Sequence, residues 1–173
     1  MTILRDATPF DLIYIDDLRK KEGNALGFIP IGAYQSVTMK APIDGRKRYL
    51  YSRLLVTEDN GDLTGFCYAS FAQDKAHIFQ IVVQEDARRW YRALLLSDEI
   101  EREAMKRGNL FVTCRVAYDL ESNFFWRGIG YQVIANTIST WLNQKESQSK
   151  RPLLVYEKQI ANSLLQMNIP MRV

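Results

Sequence analysis

Apolar positions along the chain follow two periods, and the switch between them lays out the elements. From Tyr49 to Glu58 and from Asp62 to Ala72 the residues are rich in β-branched and aromatic types, and Asp59-Asn60-Gly61 between them is a hairpin signal. A third run, Ala76 to Val83, continues the antiparallel series. The period then changes. From about Arg88 to Arg107 apolar residues fall at Trp90, Ala93, Leu96, Ile100 and Ala104, which predicts one long amphipathic helix closed by Gly108. Leu110 to Ala117 alternates Leu110, Val112, Cys114 and Val116 with Phe111, Thr113, Arg115 and Ala117, a strand partly covered on both faces. Asp119 to Arg127 reads as a short helix ending near Gly128 and Gly130. Tyr131 to Trp141 and Pro152 to Lys158 read as a strand pair joined by the polar loop Asn143 to Arg151.

Ahead of these, a short strand near Ile3 to Arg5 leads to Thr8-Pro9-Phe10-Asp11, where Thr8 suits a helix cap, Pro9 the first turn and Asp11 the positive end. That helix runs to about Glu22, with Gly23 beyond it. Leu26-Gly27-Phe28-Ile29-Pro30 is apolar but broken by Gly and Pro, so it is a loop whose side chains form either core packing or the lip of a pocket. No repeat and no linker divides the chain. The expectation is one α+β domain over residues 1–173, with a mostly antiparallel sheet and one central β-α-β unit.

Composition narrows the chemistry. The 173 residues are 47% hydrophobic and 12% aromatic, enough to bury a core without disulfide or metal staples. Cys67 and Cys114 are too few for a thiolate metal site and read as buried apolar side chains, and with His77 alone the usual metal sets and nucleophile-histidine arrangements lack their parts. No apolar run approaches the ~20 residues that span a bilayer, and the first residues lack a signal peptide's apolar core. The expectation is a cytoplasmic protein without metal or membrane. Net charge is only +3, with basic clusters at Arg46, Lys47 and Arg48, at Arg88, Arg89 and Arg92, and at Lys145, Lys150 and Arg151.

The central feature is Ile81-Val82-Val83-Gln84-Glu85-Asp86-Ala87-Arg88-Arg89-Trp90-Tyr91-Arg92-Ala93, a strand passing through a tight turn into a helix. A helix N-terminus offers free N–H groups and about half a positive charge, so it receives anions. Three arginines in the first turn and a half oppose that dipole unless an anion sits there. The competing reading has them in solvent or paired with Glu85, Asp86 and Asp98.

This segment resembles the GNAT superfamily of acyl-CoA-dependent N-acyltransferases. The family's turn reads Arg or Gln, two residues, Gly, one residue, then Gly or Ala, and Arg88, Tyr91 and Ala93 stand at those places, with Tyr91 where Gly is expected. A second stretch, Asp119 to Tyr131, is similar to the family segment Asn, two residues, Ala, three residues, Tyr, three residues, Gly, Phe. Asp119, Ser122, Trp126, Gly130 and Tyr131 occupy its positions.

The resemblance implies a GNAT-like three-layer fold, a mostly antiparallel mixed sheet with a central β-α-β CoA-binding unit. It implies acetyl-CoA as co-substrate, held by Val82, Val83, Arg88, Arg89, Trp90, Tyr91, Arg92 and Ala93, beside a splay whose other side lies near Arg115 to Ala117. The family's tyrosine is the thiolate's general acid. Trp126 cannot serve as one, which leaves another hydroxyl, Tyr118 and Ser122 being the nearest in sequence, or solvent. A carboxylate takes the amine's proton, Asp119 in preference to Glu85 because it follows the fifth strand and faces the splay, and the other reading of Asp119 is a helix N-cap. His77 is a further base candidate, although a lone histidine on an apolar strand is more often a satisfied core or edge residue. Phe28, Ile29 and Pro30, with the Asn143 to Arg151 loop, would border the acceptor.

The implied reaction is direct acyl transfer to an amine on a small molecule, protein or nucleic acid, with room for a homodimer. Some members, the Mom-like branch among them, modify bases in phage DNA, and Tyr49, Tyr51 and Trp90 near the basic clusters suit nucleic acid. A third reading is a non-catalytic module that keeps an anion pocket for a phosphorylated ligand.

Overall fold

The structure, a computed structural model, describes residues 1–23, 25–27, 29–40, 50–88, 91–138 and 151–160. Strand β1 (Thr2–Asp6) is followed by a 3-10 turn (Pro9–Asp11) and helices α1 (Leu12–Lys21) and α2 (Ile31–Thr38). Strands β2 (Tyr51–Asp59), β3 (Asp62–Phe71) and β4 (Lys75–Val83) come next, then a 3-10 turn (Glu85–Ala87) and helix α3 (Arg92–Lys106). Strand β5 (Phe111–Ala117), helix α4 (Ser122–Gly128) and strands β6 (Gln132–Ile138) and β7 (Pro152–Gln159) complete the described elements. The strands form one sheet in the order β1-β2-β3-β4-β5-β7-β6. Every neighbouring pair is antiparallel except β4 and β5, which α3 joins in parallel.

Local chemistry explains most of these boundaries. Asn60 (φ 52) and Gly61 (φ 95) both take positive φ between Asp59 and Asp62, the two-residue turn that suits the right-handed twist of the flanking strands. At the first helix Thr8 is the cap residue, but its hydroxyl is the donor: the Asp11 carboxylate accepts from the Thr8 amide at 2.7 Å and from its hydroxyl at 2.9 Å.

Side chains leave the sheet alternately for its two faces. On one face Leu55, Cys67, Phe71, Ala76, Ile78, Val112 and Tyr156 pack with Leu96, Ile100 and Ala104 of α3 and with Trp126 of α4. On the other, Leu54, Val56, Phe66 and Val82 pack with Ile15 and Leu18 of α1 and Tyr34 of α2. Two helical layers therefore enclose the sheet, and the expected three-layer α+β architecture is the observed one.

Strand β4 breaks the alternation. Tyr68 of β3 pairs with Gln80 while Ala69 pairs with Ile78, so Phe79 is an extra residue, a β-bulge. Ala76 and Ile78 belong to the α3 face, and three residues after Ile78, not two, Ile81 packs on that face again. Gln80 and Val82 are thereby turned toward α1 and α2. The parallel ladder with β5 ends at the same place, on the pair Ile78 and Cys114, although β4 continues to Val83 and β5 to Ala117. Beyond that pair the two strands part.

Helix α2 occupies a stretch for which the sequence pattern predicts no element, and the expected start of α3 near Arg88 is corrected to Arg92. Arg88 is extended (φ −64, ψ 154) and Tyr91 is left-handed (φ 63, ψ 2), so neither continues a helix backward.

Candidate functional site

The parting of β4 and β5 opens a cleft of about 970 Å³. Its walls are Ile78 to Val83 of β4, Cys114, Arg115 and Val116 of β5, Leu120 to Ser122 with Trp126 at α4, the turn residues Glu85, Asp86 and Arg88, and Glu22 with Ala25 to Gly27 after α1. The backbone decides what β4 offers there. Gln84 donates its amide to Thr64 O of β3 at 2.8 Å, and antiparallel pairing alternates, so Val82 also faces β3 while the N–H and C=O groups of Ile81 and Val83 face the cleft. Val83 O agrees with this assignment, since it accepts from Arg88 Nε at 3.1 Å. Of the expected pair Val82 and Val83, the cleft-facing amide belongs to Val83, and Ile81 supplies the second. Only the ladder phase, which the apolar run Ile78 to Val83 hides, distinguishes them.

Gly65 permits this approach of strands. A Cβ there would lie 2.7 Å from Val82 O and 3.0 Å from Thr57 Oγ1, so a side chain would push β3 off the strand that borders the cleft.

At the turn, Arg88 lines the cleft and pairs with Glu22 across it. Arg92 is placed differently from the expectation that it faces an anion. Its Nε donates to Asp59 Oδ2 at 2.6 Å and its Nη1 to Ala87 O at 2.9 Å, which ties the start of α3 to the β2–β3 turn. Arg89 and Trp90 lie outside the described residues. Tyr91 is the cap residue of α3, 74% exposed, and its side chain makes no cap bond, so among the described residues the amides of Arg92, Ala93 and Leu94 begin the helix without a side-chain cap. The left-handed backbone of Tyr91 gives a physical reason for glycine at that place in the resembling motif.

On the opposite wall Ser122 lines the cleft, whereas Tyr118 and Asp119 do not. Tyr118 is 69% exposed, and Asp119 is held by Arg151 at 2.8 Å. The cap residue of α4 is Glu121, not Asp119, and the buried Asn123 closes the turn by donating from Nδ2 to Ala117 O and Leu120 O. Trp126 is 3% exposed, edge-on to Phe125 at 5.2 Å and to Tyr131 at 4.9 Å, so it is a wall of core and cleft alike.

Among the residues expected to border the acceptor, Phe28 lies outside the described set, Ile29 packs on the α1/α2 core and Pro30 caps α2. The preceding Ala25 to Gly27 form the wall instead. His77 lies below the cleft, with Nδ1 2.8 Å from Thr113 Oγ1. The clusters at Arg46 to Arg48 and Lys145 to Lys150, and Tyr49, lie outside the described residues.

Among the described residues, no group of three or more His, Cys, Asp or Glu side chains is arranged to hold a metal ion, and no helix is long and apolar enough to cross a membrane.

No family model matches the sequence, and no curated protein matches it significantly. Solved structures do. Arabidopsis thaliana NAA60, in complex with a bisubstrate analogue, superposes with a TM-score of 0.74 at 13% identity, over 94% of this chain and 100% of that one. The Salmonella typhimurium protein yncA, solved with its cofactor acetyl-CoA, gives 0.69 at 15% over 93% and 95%. An acetyltransferase of the GNAT family from Streptococcus pneumoniae gives 0.69 at 14% over 93% and 100%. The chain has the GNAT fold.

Proposed function

We propose that this protein is an acyl-CoA-dependent N-acyltransferase that uses acetyl-CoA and transfers the acyl group directly to an amine. The observation that carries the reading is the parting of β4 from β5 after Ile78 and Cys114, which turns the main-chain groups of Ile81 and Val83 to a cleft closed by Arg88 and Ser122. The likeness to yncA, solved with acetyl-CoA, supports the same cofactor here.

The residues fit that group. Free edge amides match the amide-rich arm of a CoA thioester, and the uncapped amides of α3 with Arg88 match its phosphates. When bound, acetyl-CoA supplies an acyl carbon already activated as a thioester. Ile81 and Val83 lie about 6.6 Å apart along the strand, so one of their amides would donate to the carbonyl oxygen as charge grows on it, a fixed dipole that lowers the barrier, and the other would hold the amide-rich arm. The cleft walls hold amine and acyl carbon together, which replaces a bimolecular encounter.

The amine must lose a proton. Among the described residues, four carboxylates line the cleft, those of Glu22, Glu85, Asp86 and Glu121, with two guanidiniums, Arg88 and Arg115. We assign the proton to Glu121, which stands beside Ser122 on the α4 wall, and return of a proton to the leaving sulfur to the Ser122 hydroxyl or to water. Asp119 is outside the cleft lining and neutralised by Arg151, which disfavours it. The described lining suits a cationic amine as acceptor.

Calorimetry with acetyl-CoA and a thiol-release assay over a panel of primary amines test the reading. Binding in the micromolar range and release with at least one amine are expected. Absence of binding, or binding without release for every amine, overturns it.

A further inference from the structure

Gln80 follows the bulge of β4 directly. Without the extra residue Phe79, alternation would send position 80 into the core under α3, on the side of Ile78. With it, the Gln80 side chain lies on the α1/α2 side, 3% exposed, and both ends of its carboxamide are used. The Tyr34 hydroxyl donates to Oε1, and Nε2 donates to the Gly27 carbonyl at 2.5 Å. Gly27 ends the segment Ala25 to Gly27 that lines the cleft. The other end of that segment is fixed to α1, because the amides of Ala25 and Leu26 donate to Glu22 O at 2.8 and 3.2 Å. One wall of the cleft is thus held by a side chain from the strand whose free edge forms another.

We propose that Gln80 is a positioning residue for the amine acceptor: it sets the distance between the Ala25 to Gly27 wall and the edge of β4. The proposal rests on the acyl-transfer reading. An apolar residue of equal volume would fill the same space, but only a carboxamide accepts from Tyr34 and donates to Gly27 at once. Orientation of the acceptor against the acyl carbon therefore depends on a bond that joins two walls of the cleft.

Three variants separate this role from packing. Gln80→Glu keeps the acceptor for Tyr34 and loses the donor to Gly27, and Gln80→Met keeps the volume and loses both. Tyr34→Phe keeps the bond to Gly27. Each is measured for acetyl-CoA affinity by calorimetry and for thiol release, with putrescine, tyramine, alaninamide and lysinamide as probes and the best wild-type acceptor among them used throughout. For both Gln80 variants the KM of that amine should rise about three- to tenfold, the scale of one lost hydrogen bond, with acetyl-CoA affinity held within about twofold. Hydrogen exchange at Ala25 and Leu26 should quicken in both. Tyr34→Phe should leave the KM within about twofold. An unchanged amine KM in Gln80→Glu and Gln80→Met overturns the proposal, as does an equal rise in Tyr34→Phe, which would mark general loosening. Loss of acetyl-CoA binding in a Gln80 variant whose Tm matches the wild type would also overturn it, by moving Gln80 to the cofactor side. Wild-type protein that neither binds acetyl-CoA nor releases thiol fails the acyl-transfer reading itself, before any variant is made.

Discussion

Arg92 and Asp59 are bonded to each other across the corner of the sheet, guanidinium Nε to carboxylate Oδ2 at 2.6 Å. The pair joins the first residue of α3 to the β2–β3 turn and takes Arg92 away from the cleft. Arg92→Ala is accordingly expected to lower Tm and to leave acetyl-CoA affinity near the wild-type value once the fold is intact. A large loss of affinity without a change in Tm would return Arg92 to the anion site.

Arg88 should behave in the opposite way. It lines the cleft and bonds Val83 O, and its partner Glu22 is another cleft residue. Arg88→Ala should weaken acetyl-CoA binding by about 1 to 3 kcal/mol, the range for a charge-assisted hydrogen bond. Calorimetry reads this directly, and equal affinities would remove Arg88 from the site.

Tyr91 holds a left-handed backbone that costs a non-glycine residue roughly 1 to 2 kcal/mol. The position is the helix cap, so glycine there avoids the helix-interior penalty that the sequence pattern suggested. Tyr91→Gly is expected to raise Tm and to tighten acetyl-CoA binding, since an exposed ring leaves the mouth of the helix. A drop in affinity would show that the ring itself contacts the cofactor.

The two acids near α4 give a contrast. Glu121→Gln should cut turnover about 10²-fold or more, the scale of general-base catalysis, while Asp119→Asn should leave turnover close to wild type. A steady-state comparison at saturating acetyl-CoA decides between them, and the reverse order of effects would place the proton on Asp119.

Acid should loosen the β1–α1 corner. The Arg5 guanidinium bonds both oxygens of Asp11, at 2.8 and 3.0 Å, and against the opposing effect of burial it holds that carboxyl below its ordinary value of 3.8. A depressed folded pKa contributes stability that is present above the unfolded value and is lost as pH falls through the folded one. Tm should therefore decline below about pH 4, and Asp11→Asn should start from a lower Tm at neutral pH and decline less. Equal acid slopes in the two proteins would sink this account.

Much of the architecture is legible in the residues because it rests on local chemistry. Asn60-Gly61 announces its turn, and Leu96, Ile100 and Ala104 announce the buried stripe of α3. What escapes reading depends on contacts distant in sequence. Helix α2 carries Ile31, Gly32, Val37 and Thr38, poor helix formers, and packs the fully buried Tyr34 into the α1/α2 core. The bulge at Phe79 leaves no trace in an apolar stretch, yet it determines which main-chain groups reach the cleft and where Gln80 points. The left-handed Tyr91 is hidden for the opposite reason, since the residue type that would signal it is absent. Of the cleft lining, Val82, Val83, Glu85, Arg88, Arg115, Val116 and Ser122 are foreseen, and Leu26 and Gly27 fall in a segment read as core or pocket lip, while Gln80, Ile81, Glu121 and Ala25 emerge only with the fold.

Burial of the two cysteines has a practical consequence. Cys67 and Cys114 are 0% and 2% exposed, and burial pushes both thiols well above their ordinary pKa of 9.0. A disulfide reagent used to count freed CoA would meet almost no protein background while the sheet stays closed. The same two sulfurs are then an internal clock: their slow reaction, followed without any substrate, records how often β3 and β5 open, and a ligand seated between β4 and β5 should slow it.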